Sequence, residues 1–164
     1  MSAASSATTK VTLPSDTEIL ITREFDAPRA LVFKAMCDPA LIPRWWGPRK
    51  YETIVDKMDV RPGGSWRFIN RGADGTEFAF RGEYREIVPP ERIVQTFEFE
   101  PWAGHISIET ATFTEQNGRT LLTNHTRYAS KEDRDGMIES GMESGLRETH
   151  DRFAELLVEL KTKA

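Results

Sequence analysis

The last stretch of the chain carries its longest run of helical periodicity. From Ser130 to Leu160, apolar side chains recur at the three- and four-residue spacing of an amphipathic helix. The residues that share this face are Ile138, Met142, Leu146, Thr149, Phe153, Leu156, Leu157 and Leu160. Ser130 and Asp133 have the spacing of a capping box at the helix start. The pattern therefore predicts one long C-terminal helix with a buried apolar face.

The region from residue 18 to residue 128 is dominated by strand patterns. Apolar residues alternate with polar ones over 18–25, as in a half-buried strand, and turn sequences separate six further segments of this kind. We expect these six strands near residues 51–60, 65–71, 77–88, 92–100, 105–115 and 120–128. Between the first two strands, apolar spacing and proline positions predict two short helices, the second over 40–46.

These elements predict an α+β fold in a single domain over residues 18–164. A seven-stranded curved antiparallel sheet would wrap around the long C-terminal helix, with two short helices after the first strand. Residues 1–17 are rich in Ser, Ala and Thr and lack periodicity, so we expect a flexible N-terminal tail there. A sheet curved around one helix tends to leave a space between the two, and ligand pockets favour such concave sites.

The dipeptide Asn117-Gly118 fixes the register of the last two strands. It is the preferred sequence of a two-residue type I′ turn, which places Gln116 opposite Arg119. The same register pairs Phe113 with Leu122, Ala111 with Asn124, and Glu109 with Thr126, all on one face of the sheet. If Phe113 and Leu122 mark the inner face, then Glu109, Asn124 and Thr126 also point inward. The alternative is that Ile106 and Ile108 mark the inner face.

Inward polar groups require water, a ligand or mutual hydrogen bonds, because each unpartnered one costs about 1–3 kcal/mol. Together with the aromatic residues that alternate along three strands, they suggest the lining of a ligand cavity. The residues that we expect to line it are Trp66, Phe68, Phe80, Tyr84, Phe97, Glu109, Phe113, Asn124, Thr126, Met142, Gly145 and Thr149. A side chain at Gly145 is expected to project toward the sheet.

Composition and charge exclude several classes of function. The net charge is −4 and Lys and Arg are scattered among acidic residues, which argues against nucleic acid as a partner. No apolar run approaches the ~20 residues of a membrane span, and no signal peptide is recognisable, so we expect a cytoplasmic protein without a membrane partner. The single cysteine and the absence of clustered Cys and His predict neither a metal site nor a cofactor.

Five short motifs occur in a fixed order along residues 18–162. They are FDAP (25–28), DP (38–39) with RWWGP (44–48), PGG (62–64), GEYREIVPPER (82–92) and EDRDGM (132–137). In this combination the chain resembles the START-like (SRPBCC) superfamily, in the branch named after the activator of the 90-kDa heat-shock chaperone ATPase. The resemblance implies a helix-grip fold with a cavity for a small, mostly apolar molecule.

Three functions follow as hypotheses. The first is the binding of a small apolar or aromatic molecule between the sheet and the C-terminal helix, without an established reaction. The second is a cyclase- or dehydratase-like enzyme, in which Glu109 is a general acid or base with a pKa raised by burial, while Tyr84 and Asn124 orient the substrate. The third is an interaction module, either a chaperone-ATPase activator, as the family resemblance implies, or a homodimer formed through the sheet face of Ile106 and Ile108.

Overall fold

The computed structural model describes residues 8–163 and contains one antiparallel sheet and four α-helices in that part of the chain. The strands are β1 (Lys10–Thr12), β2 (Glu18–Phe25), β3 (Glu52–Met58), β4 (Ser65–Arg71), β5 (Glu77–Val88), β6 (Arg92–Phe99), β7 (Ser107–Gln116) and β8 (Arg119–Arg127). The helices are α1 (Arg29–Cys37), α2 (Ile42–Trp45), α3 (Lys131–Glu139) and α4 (Met142–Lys163). A short 3-10 helix, Glu100–Trp102, follows β6. The predicted helix-grip architecture is therefore confirmed.

The sheet has eight strands rather than the predicted seven, in the order β1-β2-β8-β7-β6-β5-β4-β3. The additional strand is β1, in the segment that we expected to be a flexible tail, and Lys10 pairs with Thr22 at the sheet edge. Three residues are too few to show a two-residue alternation, so the sequence pattern could not reveal this strand. The rest of the predicted tail, residues 1–7, lies outside the described residues.

The Asn117-Gly118 turn has the predicted geometry. Its two residues have φ values of 55° and 78°, as a type I′ turn requires. Gln116 pairs with Arg119, Phe113 with Leu122, and Glu109 with Thr126. The predicted register of β7 and β8 is therefore confirmed.

The prediction of one helix over residues 130–160 is wrong, because α3 ends at Glu139 and α4 begins at Met142. Gly141 has a φ of 82°, in the left-handed region, and its N–H donates to the carbonyl of Ile138. A glycine in this conformation is a common helix end. The capping prediction at the start is correct, since Ser130 Oγ accepts a hydrogen bond from the Asp133 N–H at 3.1 Å.

The hydrophobic core lies between the helices and one face of the sheet, which we call the inner face and which carries Phe113 and Leu122. Phe153 of α4 stacks on Trp45 at a centroid distance of 4.1 Å and meets Phe25 edge-on at 5.1 Å. On this predicted apolar face Phe153, Leu156 and Leu157 are buried, whereas Ile138 is 38% exposed. None of the helices within residues 8–163 is long and apolar enough to cross a membrane.

Candidate functional site

Four polar side chains cross the inner face of the sheet in one line, which we call the polar row. Tyr84 of β5 pairs with Gln95 of β6, Gln95 pairs with Glu109 of β7, and Glu109 pairs with Thr126 of β8. Cross-strand neighbours have side chains on the same face, so all four point toward the helices. Ile19 of β2 continues the line beyond Thr126 and is fully buried.

Glu109 lies at the centre of the polar row. Burial raises its pKa from the ordinary 4.5 to about 7, although a hydrogen bond from Gln95 acts in the opposite direction. That bond joins Gln95 Nε2 to Glu109 Oε1 over 3.3 Å. The side chain is only half-buried, so part of its surface remains accessible. Burial raises the pKa of the hydroxyl of Tyr128, which lies directly after β8, and the nearby charge of Glu109 raises it further.

The polar groups of the β7–β8 hairpin point inward, as the first of the two alternatives predicts. Thr126 is 3% exposed, and Asn124 Oδ1 is buried without a hydrogen-bond partner among residues 8–163. Ile106 and Ile108, the markers of the other alternative, are 47% and 37% exposed. The alternative with inward isoleucines is therefore wrong.

Tyr84 forms the far end of the polar row. It is buried, and burial raises the pKa of its hydroxyl, with smaller contributions from Cys37 and Asp59 nearby. Two strand spacings separate it from Glu109, which corresponds to about 10 Å. Tyr84 and Glu109 therefore share a row without touching, and only a molecule lying across Gln95 could contact both.

Aromatic side chains occupy the inner face beside the polar row. Phe80 and Phe97 are half-buried with their centroids 5.7 Å apart, and Trp46 meets Phe80 edge-on at 5.2 Å. Trp66, Phe68 and Phe113 are 5% exposed or less and belong to the packed core. Of the aromatic residues predicted to line a cavity, Phe80 and Phe97 are thus the two that keep accessible surface.

A close approach of two strands holds this aromatic group. A Cβ on Gly82 would lie 1.9 Å from the carbonyl oxygen of Thr96 and 2.6 Å from Trp66 Nε1. Only glycine fits at such a distance. The Gly82 position of the GEY motif therefore allows β5 to pass close to β6 beside the polar row.

The predicted cavity residues on α4 have different surroundings. Met142 and Thr149 are half-buried near the start of the helix. A Cβ on Gly145 would meet only the ring of Pro48, at 3.4 Å. The expectation that a side chain at Gly145 would project toward the sheet is therefore wrong, because this side of the helix turns toward the loop after α2.

Helix α3 is attached at the end of the sheet that lies next to the polar row. Asp133 accepts a hydrogen bond from His105 Nδ1 at 2.7 Å, in the connection between β6 and β7. Arg134 donates to the carbonyl of Ser15, in the connection between β1 and β2. A Cβ added at Gly136 of α3 would lie 3.0 Å from the Trp102 ring, so this helix also packs closely against Trp102. The helix thus bridges two loops at the sheet end.

Two open grooves lie away from the polar row. One has a volume of about 520 Å³ and is lined by Arg49, Glu143, Ser144, Arg147, Glu148 and Asp151. The other has a volume of about 310 Å³ and is lined by Asp56, Lys57, Ser65, Trp66, Arg67, Arg81, Gly82, Thr96 and Glu98. Both are rich in charged side chains, and neither includes Glu109.

Gln95 and Tyr128 are site residues that the sequence analysis missed. The register of β6 against β7 places Gln95 beside Glu109, but the long connection 100–106 contains no two-residue turn from which that register could be counted. Tyr128 follows Thr126 by two residues and so continues the inward alternation of β8. Counting the register of the Asn117-Gly118 turn beyond Thr126 to the next inward position identifies Tyr128.

Comparison with known proteins assigns the fold to a family. The family model described as "Activator of Hsp90 ATPase homolog 1-like protein" matches residues 26–158. No functionally curated protein matches the chain significantly.

Solved bacterial structures share the fold. A protein from Arthrobacter aurescens is 26% identical, with a TM-score of 0.84, over 92% of this chain and 91% of that one. A protein from Mycobacterium smegmatis is 29% identical, with a TM-score of 0.82, over 92% and 96%. A protein from Rhodobacter sphaeroides is 23% identical, with a TM-score of 0.86, over 92% and 98%, and shows the fold alone.

Proposed function

The chain belongs to the family of Activator of Hsp90 ATPase homolog 1-like proteins, and from this premise we propose that it binds a small apolar or aromatic molecule against the inner face of its sheet. The proposed site extends along the polar row and the half-buried rings of Phe80 and Phe97. Helix α4 packs on this side of the sheet, and α3 is attached through Asp133 to His105, just before β7.

One observation carries this proposal. Glu109 points to the inner face and its pKa rises to about 7 through burial, yet the side chain keeps accessible surface. A carboxyl group on the inner face that keeps accessible surface is available to a molecule bound there. Asn124 Oδ1, diagonal to Glu109 across the hairpin, lacks a partner within the described residues and adds a second unmet acceptor.

The composition of the wall indicates the kind of molecule. Phe80, Phe97 and Trp46 offer apolar ring surface, while the polar row offers few hydrogen-bonding groups at fixed positions. Sites of this type are mostly apolar with a small number of polar groups that set the orientation of the ligand. We therefore expect a flat, apolar body with one polar end directed at Glu109.

Amide chemical shifts in a titration with 2-naphthalenemethanol test the proposal. We expect concentration-dependent shifts at Gln95, Glu109 and Thr126 and much smaller ones at outer-face residues such as Arg127. No shifts at millimolar probe, or shifts confined to the groove around Arg49 and Glu148, would contradict the proposed site. Native mass spectrometry of the purified protein would in addition detect a molecule that remains bound.

A pair of substitutions separates an open space from a packed core. Gln95→Phe adds volume at the centre of the polar row, and Val94→Phe adds a ring at the next position, which points to the outer face. If space exists beside Gln95, the first variant keeps its melting temperature and loses probe binding, whereas the second keeps both. A packed core would instead make Gln95→Phe melt several degrees lower than Val94→Phe.

The raised pKa of Glu109 favours a second candidate, an acid–base enzyme. In this hypothesis the Glu109 carboxylate removes a proton from the carbon next to a substrate carbonyl, and Tyr84 and Asn124 orient the substrate. Exchange of the α-hydrogens of 2-tetralone in heavy water would reveal such proton transfer. We expect exchange above the buffer rate with the native protein and at the buffer rate with Glu109→Gln; equal rates for both would reject this candidate.

A further inference from the structure

Two acceptor atoms on the inner face around Glu109 have no hydrogen-bond donor among the described residues. Glu109 Oε1 accepts from Gln95, while Oε2 has no donor among the described residues. Asn124 Oδ1 also lacks a donor in residues 8–163. Ser107, at the start of β7, directs its hydroxyl to the carbonyl of Phe97 instead. A molecule that carries hydrogen-bond donors would therefore complement both acceptors.

No cation of the described chain compensates the carboxylate of Glu109. The inward arginine of β2, Arg23, lies opposite Leu122, two inward positions along β8 from Thr126. Its guanidinium donates to Asp151 at 3.0 Å and to Thr9 at 3.2 Å. Burial and the Gln95 hydrogen bond are the influences on the pKa of Glu109, with no contribution from a positively charged neighbour.

Aromatic surface next to an unpaired carboxylate suits an organic cation. Phe97 lies two residues from Gln95 on β6, and Tyr128 is close enough to Glu109 to interact with its charge. An ammonium group is attracted to the face of an aromatic ring as well as to a carboxylate. An anionic ligand would be repelled by the ionised form of Glu109, whereas an ammonium group would stabilise that form.

We infer that the ligand of the inner face is a primary amine on an aromatic body, with its ammonium group bound by the Glu109 carboxylate. This inference rests on the proposed function and gives it a ligand class. The ammonium group supplies three donors, enough for Glu109 Oε2 and for Asn124 Oδ1 on the neighbouring strand. The aromatic body then lies on the half-buried rings of Phe80 and Phe97.

Three naphthalene probes of similar size test the charge preference. They are 1-naphthylmethylamine, 1-naphthalenemethanol and 1-naphthoic acid, with dissociation constants measured by calorimetry at pH 8. We expect the amine to bind at least 10-fold more tightly than the alcohol, and the acid to bind most weakly. Equal affinities for amine and alcohol would overturn the inference and leave the proposed apolar site intact, whereas no binding of any probe would overturn both.

The variant Glu109→Gln assigns the preference to one residue. Its amide keeps the shape of the side chain and removes the charge, so the amine should lose its 10-fold advantage while alcohol binding stays within about twofold. A matched variant, Glu83→Gln, removes one carboxylate from an exposed position of β5 and should leave both affinities unchanged. A preference that survives in Glu109→Gln, with a native melting curve, would overturn the assignment to Glu109.

The pH dependence of binding gives a second, independent measurement. The amine probe stays protonated between pH 6 and pH 8, while Glu109 loses its proton in this interval. Tyr128 is the titratable group whose charge interacts with Glu109, and its raised pKa keeps it neutral throughout. Amine affinity should therefore rise severalfold from pH 6 to pH 8, and alcohol affinity should not. A flat amine profile would contradict the ion pair.

Discussion

The imidazole Nδ1 of His150 lies 2.9 Å from the hydroxyl oxygen of Thr9, a residue 141 positions earlier in the chain. The same hydroxyl accepts a hydrogen bond from Arg23 at 3.2 Å and has its own hydrogen to donate. The lowered pKa of His150 keeps the imidazole neutral, so its Nδ1 is able to accept that hydrogen. This contact fastens the residue before β1 to helix α4.

The pH dependence of stability should report this neutral histidine. Burial, followed by the charge of Arg23, lowers the pKa of His150 from 6.5 to about 4. The unfolded chain takes up a proton near pH 6.5 and the folded chain does not, so the free energy of unfolding falls as the pH drops from 6.5 toward 4, by up to ~3 kcal/mol. Urea unfolding of His150→Gln should lack this acid loss; an identical acid loss in the variant would contradict the assignment.

Glu109 should have the opposite effect on stability. Its folded pKa of about 7 exceeds the ordinary 4.5. Its contribution is therefore complete below pH 4.5 and lost as the pH rises through 7, by up to ~3 kcal/mol. The variant Glu109→Gln should gain stability over the native chain as the pH increases from 5 to 8, in urea unfolding without ligand. The control Glu83→Gln should show no such trend. If the free energies of unfolding of Glu109→Gln and the native chain differed by the same amount at every pH, this prediction would be contradicted.

The sequence predicted the fold correctly where a local motif allows only one backbone conformation. Asn117-Gly118 permits positive φ at both positions, so the register of β7 and β8, including the inward side of Glu109, could be counted from the turn. The helical periodicity of α3 and α4 had no such constraint. It continues across Gly141, and a single glycine with positive φ, which periodicity does not record, separates the two helices.

The parts that could not be predicted depend on contacts between distant segments. The inward position of Gln95 follows from β6 pairing with β7, across a seven-residue connection without a defining turn. The burial of Thr9 follows from its contact with His150 at the other end of the chain. No local pattern encodes such contacts, because the same side chains would be exposed if the partner were absent.

The hydrogen bond between Asp133 and His105 should control the local stability of α3. The two atoms are 2.7 Å apart and Asp133 is 8% exposed, so the pair is worth about 1–2 kcal/mol to the attachment of the helix. Asp133→Ala should therefore accelerate hydrogen exchange of α3 amides about 10-fold without changing the amides of α4 beyond residue 150. The control Glu132→Ala removes an exposed neighbouring charge and should have little effect; equal acceleration by both variants would reject the role of the pair.

The break between α3 and α4 leads to opposite predictions for two neighbouring glycines. Gly145 lies within helix α4, and an added Cβ would touch only Pro48 Cγ at the ordinary distance of 3.4 Å. Gly145→Ala should therefore raise the free energy of unfolding by up to ~1 kcal/mol through higher helix propensity. Gly141 has a φ of 82°, where any other L-residue is strained, although nothing lies within 4 Å of its Cβ position. Gly141→Ala should lower the free energy of unfolding by about 1–2 kcal/mol.

Urea unfolding of both variants distinguishes a broken helix from a continuous one. In a continuous helix, both glycines would have helical backbone and both alanines would stabilise the protein by similar amounts. In the structure described here, the two changes differ in sign because Gly141 alone has a left-handed backbone. Stabilisation by Gly141→Ala would therefore show that the helices are joined in solution, and destabilisation by Gly145→Ala would show that its contact with Pro48 is tighter than 3.4 Å.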